Sequence, residues 1–259
     1  MAMTASLKAQ DPIPPASTIR MEKRPFAAVA IPTDLGAHGA TVNTRRGETI
    51  ALAFDGNEAV FVVRSGTLML TVTLPHGLRQ VVSLFYPGDL FRSAFAPSDA
   101  GATLSVVRPG EVLRIRWSAF SELASSDPET TDYMSSAIAR QNASQAIHMA
   151  AVGRFDCQQR MATLLLELAL RTGSPSSCGG LIFDVPLSRR DMADYLGLNA
   201  DTLSRTMSRL RSSGLLSHPD RHRALVPDIA DLAKLTPAAR SLMALHGQST
   251  AEMSPFTTV

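Results

Sequence analysis

The sequence predicts an α+β chain in three successive parts: an N-terminal antiparallel β-barrel or jelly roll, one long helix, and a C-terminal pair of short helices followed by a hairpin. Three observations carry this. Between about Pro25 and Arg116, short β-rich runs alternate with turn residues. From Glu129 to about Gly153 there is no Pro and no internal Gly. From Leu187 on, two helical patterns follow each other across one glycine.

Composition sets the limits. The chain has 259 residues, 45% of them hydrophobic and 19% charged, which is enough apolar material for a sizeable core and excludes a wholly disordered chain. No stretch approaches the roughly 18 uninterrupted apolar residues of a membrane span. The opening residues MAMTASLKAQDPIPPAS lack the long apolar run of a secretory signal, so no membrane partner and a cytoplasmic location are expected. Cys157 and Cys178 are the two cysteines, too few for a disulfide framework, and no His/Cys spacing offers a metal site.

The elements follow in order. Residues 1–24 read as a flexible leader with Pro12, Pro14 and Pro15 and no apolar period. Residues 25–126 form the β domain. Its clearest strands are Ala59–Arg64, Thr67–Leu74, Arg79–Phe85, Leu104–Val107 and Glu111–Arg116, cut by Ser65-Gly66, Pro75-His76-Gly77 and Pro87-Gly88-Asp89. Residues 127–154 form the long helix, started by Asp127 as N-cap with Pro128 at the first helical position. Met134, Ile138, Gln141, Gln145, His148 and Val152 recur along it at alternating spacings of four and three. A stripe with a polar centre suits a two-chain seam of fixed register. The alternative is a surface helix packed on its own domain. A second helix, Asp156–Arg171, has a strongly apolar face, and a short strand follows at Leu181–Val185. Residues 155–235 make one C-terminal domain and 236–259 a tail.

The segment Leu187–Gly214 carries the chemistry. Ser188 can cap the first helix, with Asp191 completing a partial capping box. Ala193 is small where a second helix must approach, and Gly197 suits a turn that needs positive φ. Asn199 can cap the second helix. Leu203, Met207 and Leu210 form its inward face, and Gly214 fits the stop. The opposite face shows Ala200, Asp201, Ser204, Arg205, Ser208 and Arg209. Short polar side chains and Arg near a helix N-terminus are the layout of a recognition helix meeting base edges in the major groove. Ser188, Arg189 and Asn199 lie beside it. Leu215-Leu216 and Ala224–Val226 read as a β-hairpin wing whose basic tip, Arg221 included, could touch phosphate.

Charge agrees locally. The whole chain is only +2, but Leu187–Arg223 holds seven Arg and four Asp, 7 − 4 = +3. Of the 25 basic residues 22 are Arg. Arg is the better fork for phosphate and guanine, although a GC-rich genome produces the same bias.

This segment resembles the winged helix-turn-helix of the Crp/Fnr superfamily of bacterial transcription regulators. Asp201-Thr-Leu-Ser204-Arg205 is similar to the Glu-x-x-Ser-Arg of the Fnr and FixK branch. Over about residues 40–235 the order of barrel, long helix, short helix and wing follows the same plan, with Ser65-Gly66 and Pro87-Gly88-Asp89 at the turns. The resemblance implies a sensory domain like that of cyclic-nucleotide binders, a dimerisation helix and a DNA reader. It also implies double-stranded DNA, a second copy of the chain and RNA polymerase as partners.

Departures from the family pattern decide the effector. Cyclic-nucleotide binders of the family carry a Gly-Glu pair after the Gly-Asp turn and an Arg-Ser/Ala pair on the next strand. Here those stretches read Leu90-Phe-Arg92-Ser93 and Ala100-Gly101, so carboxylate and phosphate-binding Arg are both lost. The N-terminal cysteine cluster of the iron–sulfur members is absent. The expectation is a homodimeric transcription regulator, activator or repressor, on a palindromic TTGA-like site that needs neither cyclic nucleotide nor cofactor. The alternative is a relative gated by a ligand, by haem through His38, His76 or His148, or by redox chemistry at Cys178. Neither a nucleophile elbow nor a P-loop is present, so no catalytic residue and no enzyme is expected.

Overall fold

The computed structural model describes residues 30–97, 101–177, 179–218, 220 and 222–246. The N-terminal domain is two facing antiparallel sheets. One runs β1 (Gly39–Asn43), β9 (Glu111–Arg116), β4 (Asn57–Val63), β3 (Ala53–Phe54), with β7 (Leu90–Arg92) also on β4. The other runs β2 (Thr49–Ile50), β8 (Thr103–Arg108), β5 (Thr67–Leu74), β6 (Leu78–Phe85). The sheets make a jelly-roll-like sandwich and do not close into a barrel.

β4 shows why its sequence reads as an unbroken apolar run. Ala59, Phe61 and Val63 face the inside of the sandwich, where Phe61 and Phe85 both pack on Phe91. Val60 and Val62 face the other way, onto Phe120 and Tyr133. A strand buried on both faces loses the polar alternation of a half-exposed one. The turn Ser65-Gly66 before β5 requires glycine: φ is +86°, and a Cβ would stand 2.6 Å from the Arg108 carbonyl oxygen.

α1 (Trp117–Ser126) leads into α2 (Pro128–Arg154), which starts as expected: the Asp127 side chain accepts the Thr130 N–H at 2.8 Å, with Pro128 first in the helix. α3 (Cys157–Thr172) opens with a full capping box between Asp156 and Gln159. Every residue from Met161 to Leu170 is buried. α3 is a hub, because a third core joins it on one side to Met69, Val81, Leu84 and Tyr86 of the sandwich's outer face and on the other to the C-terminal helices.

After α3 come β10 (Ser174–Pro175), β11 (Leu181–Asp184), α4 (Arg189–Leu196), α5 (Ala200–Ser212), β12 (Arg223–Val226), α6 (Ile229–Lys234) and α7 (Ala239–His246). Among the described residues no helix is long and apolar enough to cross a membrane.

Three expectations are refined. The Leu215–Ser217 and Ala224–Val226 arms of the wing meet as a hairpin through Ser217 and Leu225, whose backbones exchange two hydrogen bonds at 2.9 Å. β12 pairs mainly with β11, and the Leu215–Ser217 side contributes one bridge, Ser217 to Leu225. The alternating Leu181–Asp184 run is the better partner, since its buried Leu181 and Phe183 share a face with Ala224 and Val226. The segment expected as a tail from 236 contains α7, whose Leu242 is buried in the third core. Finally, part of the half-exposed α2 stripe also makes contacts within the chain. Gln141 donates to the Ser83 hydroxyl, His148 stacks on Tyr195 at 4.0 Å between ring centres, and Met134 packs on the core beside Tyr133. Burial pushes the His148 imidazole down to about 4. Ile138, Gln145 and Val152 remain half-exposed, flanked by exposed Asn142 and Met149.

Candidate nucleic-acid interface

The helix pair is built by local rules. The Ser188 hydroxyl accepts the Asp191 N–H at 3.0 Å, so the expected cap forms, and the same hydroxyl donates to the Asp191 carboxylate at 2.6 Å. α4 ends at Gly197, which is left-handed at φ 61°. The Asn199 side chain then accepts the Thr202 N–H at 2.7 Å and starts α5. Leu203, Thr206, Met207 and Leu210 are buried, and Gly214 follows the helix at φ 74°. Thr206 is the one inward residue the apolar pattern missed; its hydroxyl bonds the Thr202 carbonyl at 2.8 Å, so it lies in the core with its polar atom satisfied.

The outer face of α5 is bare. Ala200, Asp201, Arg205, Ser208 and Arg209 are exposed, and Ser204 is half-exposed. Arg205 and Asp201, one turn apart, are joined at 2.7 Å while staying 72% and 69% exposed, so the pair is available to a ligand without leaving a buried charge. Arg189 of α4 reaches across to the Ser204 hydroxyl at 3.3 Å, which brings both helices to one surface. Ser188, Arg189 and Asn199 are exposed at its edge. Asp220 organises the wing turn by accepting the His222 and Arg223 N–H groups and pairing with the Arg223 guanidinium at 2.5 Å. Those backbone and side-chain bonds, the His222 N–H first, hold its carboxyl below the usual range. Arg221 lies outside the described residues, as does Cys178.

Sequence reasoning missed how this reader is held. Arg79, on β6, pairs with Asp191 at 2.7 Å and also with Asp194, both on α4. Gln80 donates to the Tyr195 carbonyl at 3.3 Å, Arg46 to the Pro186 carbonyl at 3.1 Å, and Arg108 pairs with Asp184 at 3.0 Å. These partners lie 76 to 140 residues apart in the chain, so no local motif announces them. Arg92, in the stretch that departs from the cyclic-nucleotide pattern, is tied to Glu58 and lies 3.7 Å from the centre of the Trp117 ring.

Comparison with known proteins agrees with this geometry. Residues 159–235 match the Crp-like helix-turn-helix domain, and residues 41–127 match the cyclic nucleotide-binding domain. The nitrogen fixation regulation protein FixK of Azorhizobium caulinodans is 30% identical over 184 residues, covering 69% of this chain and 71% of that protein. The transcriptional activator protein FnrL of Cereibacter sphaeroides is 29% identical over 191 residues, 72% of this chain and 76% of that one. The solved structure of FixK2 from Bradyrhizobium japonicum superposes with a TM-score of 0.65 at 27% identity, covering 77% of this chain and 98% of that one. With a bare-faced α5, a capped α4 and a nucleotide-type sandwich in that order, the chain belongs to the Crp/Fnr family of transcription regulators, close to its FixK and Fnr branch, and not to a family of enzymes.

Proposed function

We propose that the chain is a cytoplasmic homodimeric regulator that activates transcription with RNA polymerase from palindromic TTGA-like sites and needs no cyclic nucleotide. The observation that carries this is the outer face of α5. Arg205 gives a bidentate contact to guanine O6 and N7. Ser204 meets the neighbouring base, and Asp201 orients Arg205, as their 2.7 Å pairing supports, or accepts from a cytosine or adenine amino group. Ala200 has no donor, so the extra guanine contact of TGTGA readers is missing. Ser188, Arg189, Asn199, Ser208, Arg209 and Arg221 contact the backbone or the groove edge.

Effector independence rests on the sandwich interior, where Phe61, Phe85 and Phe91 pack together, and on Arg92, already occupied by Glu58. For the dimer, the half-exposed Ile138, Gln145 and Val152 combine with exposed Asn142 and Met149 into one solvent-facing stripe at 4/3 spacing. Met149, 68% exposed, is the large apolar residue left at its centre. A palindromic site read by a twofold pair follows from that seam.

The test is fluorescence anisotropy of the full chain on TTGA-type and TGTGA-type palindromes, with and without cyclic AMP. Tighter binding to the first, unchanged by the nucleotide, is expected. Preference for the second, or tightening by cyclic AMP, contradicts the reading.

A further inference from the structure

Where the jelly roll meets the reader, five elements bury a group of ionisable side chains. Glu167 of α3 sits at the centre, 5% exposed. From α4, the Tyr195 hydroxyl donates to its carboxyl at 3.3 Å. From the turn after β6, the Tyr86 hydroxyl lies against the same carboxyl but completes no hydrogen bond. Asp89 of that turn is already satisfied by Arg171 of α3 at 2.7 Å, and Arg171 stacks on the Tyr86 ring at 4.7 Å. Arg140 of α2 bonds the Gly88 carbonyl at 3.3 Å, and His246 of α7 meets Arg171 at 3.3 Å. His148 of α2 covers the outer face of the Tyr195 ring.

This arrangement suits a neutral carboxyl better than a carboxylate. Glu167 is 5% exposed and its hydrogen bond comes from a neutral hydroxyl, so an anion there loses hydration that Arg171, already in contact with Asp89, restores only in part. Among the described residues Tyr195 supplies the one hydrogen bond of the carboxyl, and the Tyr86 oxygen beside it, which lacks a partner, can pair with either form. Burial, the largest effect, raises the Glu167 carboxyl to about 7, against the lowering pull of Arg171 and the Tyr195 bond. The buried histidines do not share this range, since His148 is pushed down to about 4 and His246 to about 3. Both tyrosines are pushed upward, out of it.

We propose that Glu167 is a proton-dependent positioning residue: neutral, it lets α3, α4 and the turn after β6 close over it without water, and charged, it loosens that joint by drawing water to its buried carboxylate. The sign follows from linkage. The unfolded group titrates near 4.5 and the folded one near 7, so the folded chain binds the extra proton between them. The stabilisation is full below about 4.5 and is lost as the pH rises through about 7. A tight joint holds α5 at fixed spacing, so ordering the reader costs less when DNA binds. This last step rests on the DNA-binding reading above; the joint itself does not.

The experiment compares the full wild-type chain with Glu167→Gln between pH 6 and pH 8.5, by thermal melting, by amide exchange of α4, and by affinity for the TTGA-type palindrome. Gln is neutral throughout and keeps an acceptor and a donor. The two proteins should match at pH 6. By pH 8.5 the wild type should melt lower, exchange faster at α4 and bind DNA several-fold more weakly than the variant. Tyr195→Phe, which removes a bond that favours the charged form, should move the wild-type transition to higher pH and guards against a Glu167→Gln chain that fails to fold. Melting and exchange differences that do not change with pH, together with an unmoved transition in Tyr195→Phe, overturn the proposal. Absence of DNA binding by both proteins at every pH would instead refute the functional reading, with melting and exchange still deciding the role of Glu167.

Discussion

α5 and α2 are both helices on which residue spacing predicts a working face, and they came out differently. On α5, Leu203, Met207 and Leu210 are buried and Ala200, Asp201, Arg205, Ser208 and Arg209 are exposed, as the pattern requires. On α2, Gln141 and His148 of the expected two-chain seam are half-exposed and make contacts within the chain, while Asn142 and Met149 beside them are exposed. α5 is covered on one side only, so its apolar stripe has one possible phase. α2 packs against the jelly roll, α1, α3 and α7. Its 4/3 repeat fits two phases one residue apart, both containing Ile138, Gln145 and Val152. Polar residues in each phase leave the sequence without a tie-breaker, and the partners that decide it, Ser83 and Tyr195, are 58 and 47 residues away.

The largest effect expected is on the α2 side. Ile138→Glu, or Met149→Glu, should convert the dimer to monomers and abolish tight DNA binding, whereas Gln141→Ala should leave the mass unchanged. Sedimentation with and without DNA reads this out, and a wild-type mass of one chain in both conditions breaks the comparison. On α5, the two faces should separate cleanly. Leu203→Ala should destabilise the fold by about 2–5 kcal/mol in denaturant unfolding, the usual cost of emptying a core position. Arg205→Ala should leave stability within about 0.5 kcal/mol but cost about 1–3 kcal/mol of binding and relax the preference at guanine. Equal losses of stability in both variants would deny that α5 has a working face. A smaller effect is expected at the cap: Ser188→Ala should cost about 1 kcal/mol of stability. The smallest concerns the wing, where Arg221→Ala should weaken all DNA sequences alike and lower the salt slope by about one.

Legibility follows the same division. The strands β4, β5, β6, β8 and β9 were readable because each has at least six residues and a buried run between turn residues. β2, β3 and β7 have two or three residues, and β1 has no fully buried side chain, so neither period nor apolarity marks them. Ser188, Gly197, Asn199 and Gly214 could be placed individually because caps and left-handed turns are decided within four residues. The clamp of Arg79 on Asp191 and Asp194 and the pocket around Glu167 could not, because each is assembled from segments that meet only in the folded chain. Arginine shows the contrast most plainly. The sandwich ties Arg79, Arg92 and Arg108 to carboxylates of other elements, while on α5 Arg205 pairs one turn back with Asp201 and stays exposed, as does Arg209.

The central claim is that the exposed face of α5 reads DNA sequence through Arg205. Selection of bound DNA from a random pool by the wild-type chain and by Arg205→Ala tests it most directly. The wild type should enrich a palindrome of TTGA-like half-sites with guanine at the third position, and the variant should lose that guanine preference while keeping the flanking pattern. A wild-type site without guanine there, or a variant with unchanged preference, would contradict the account.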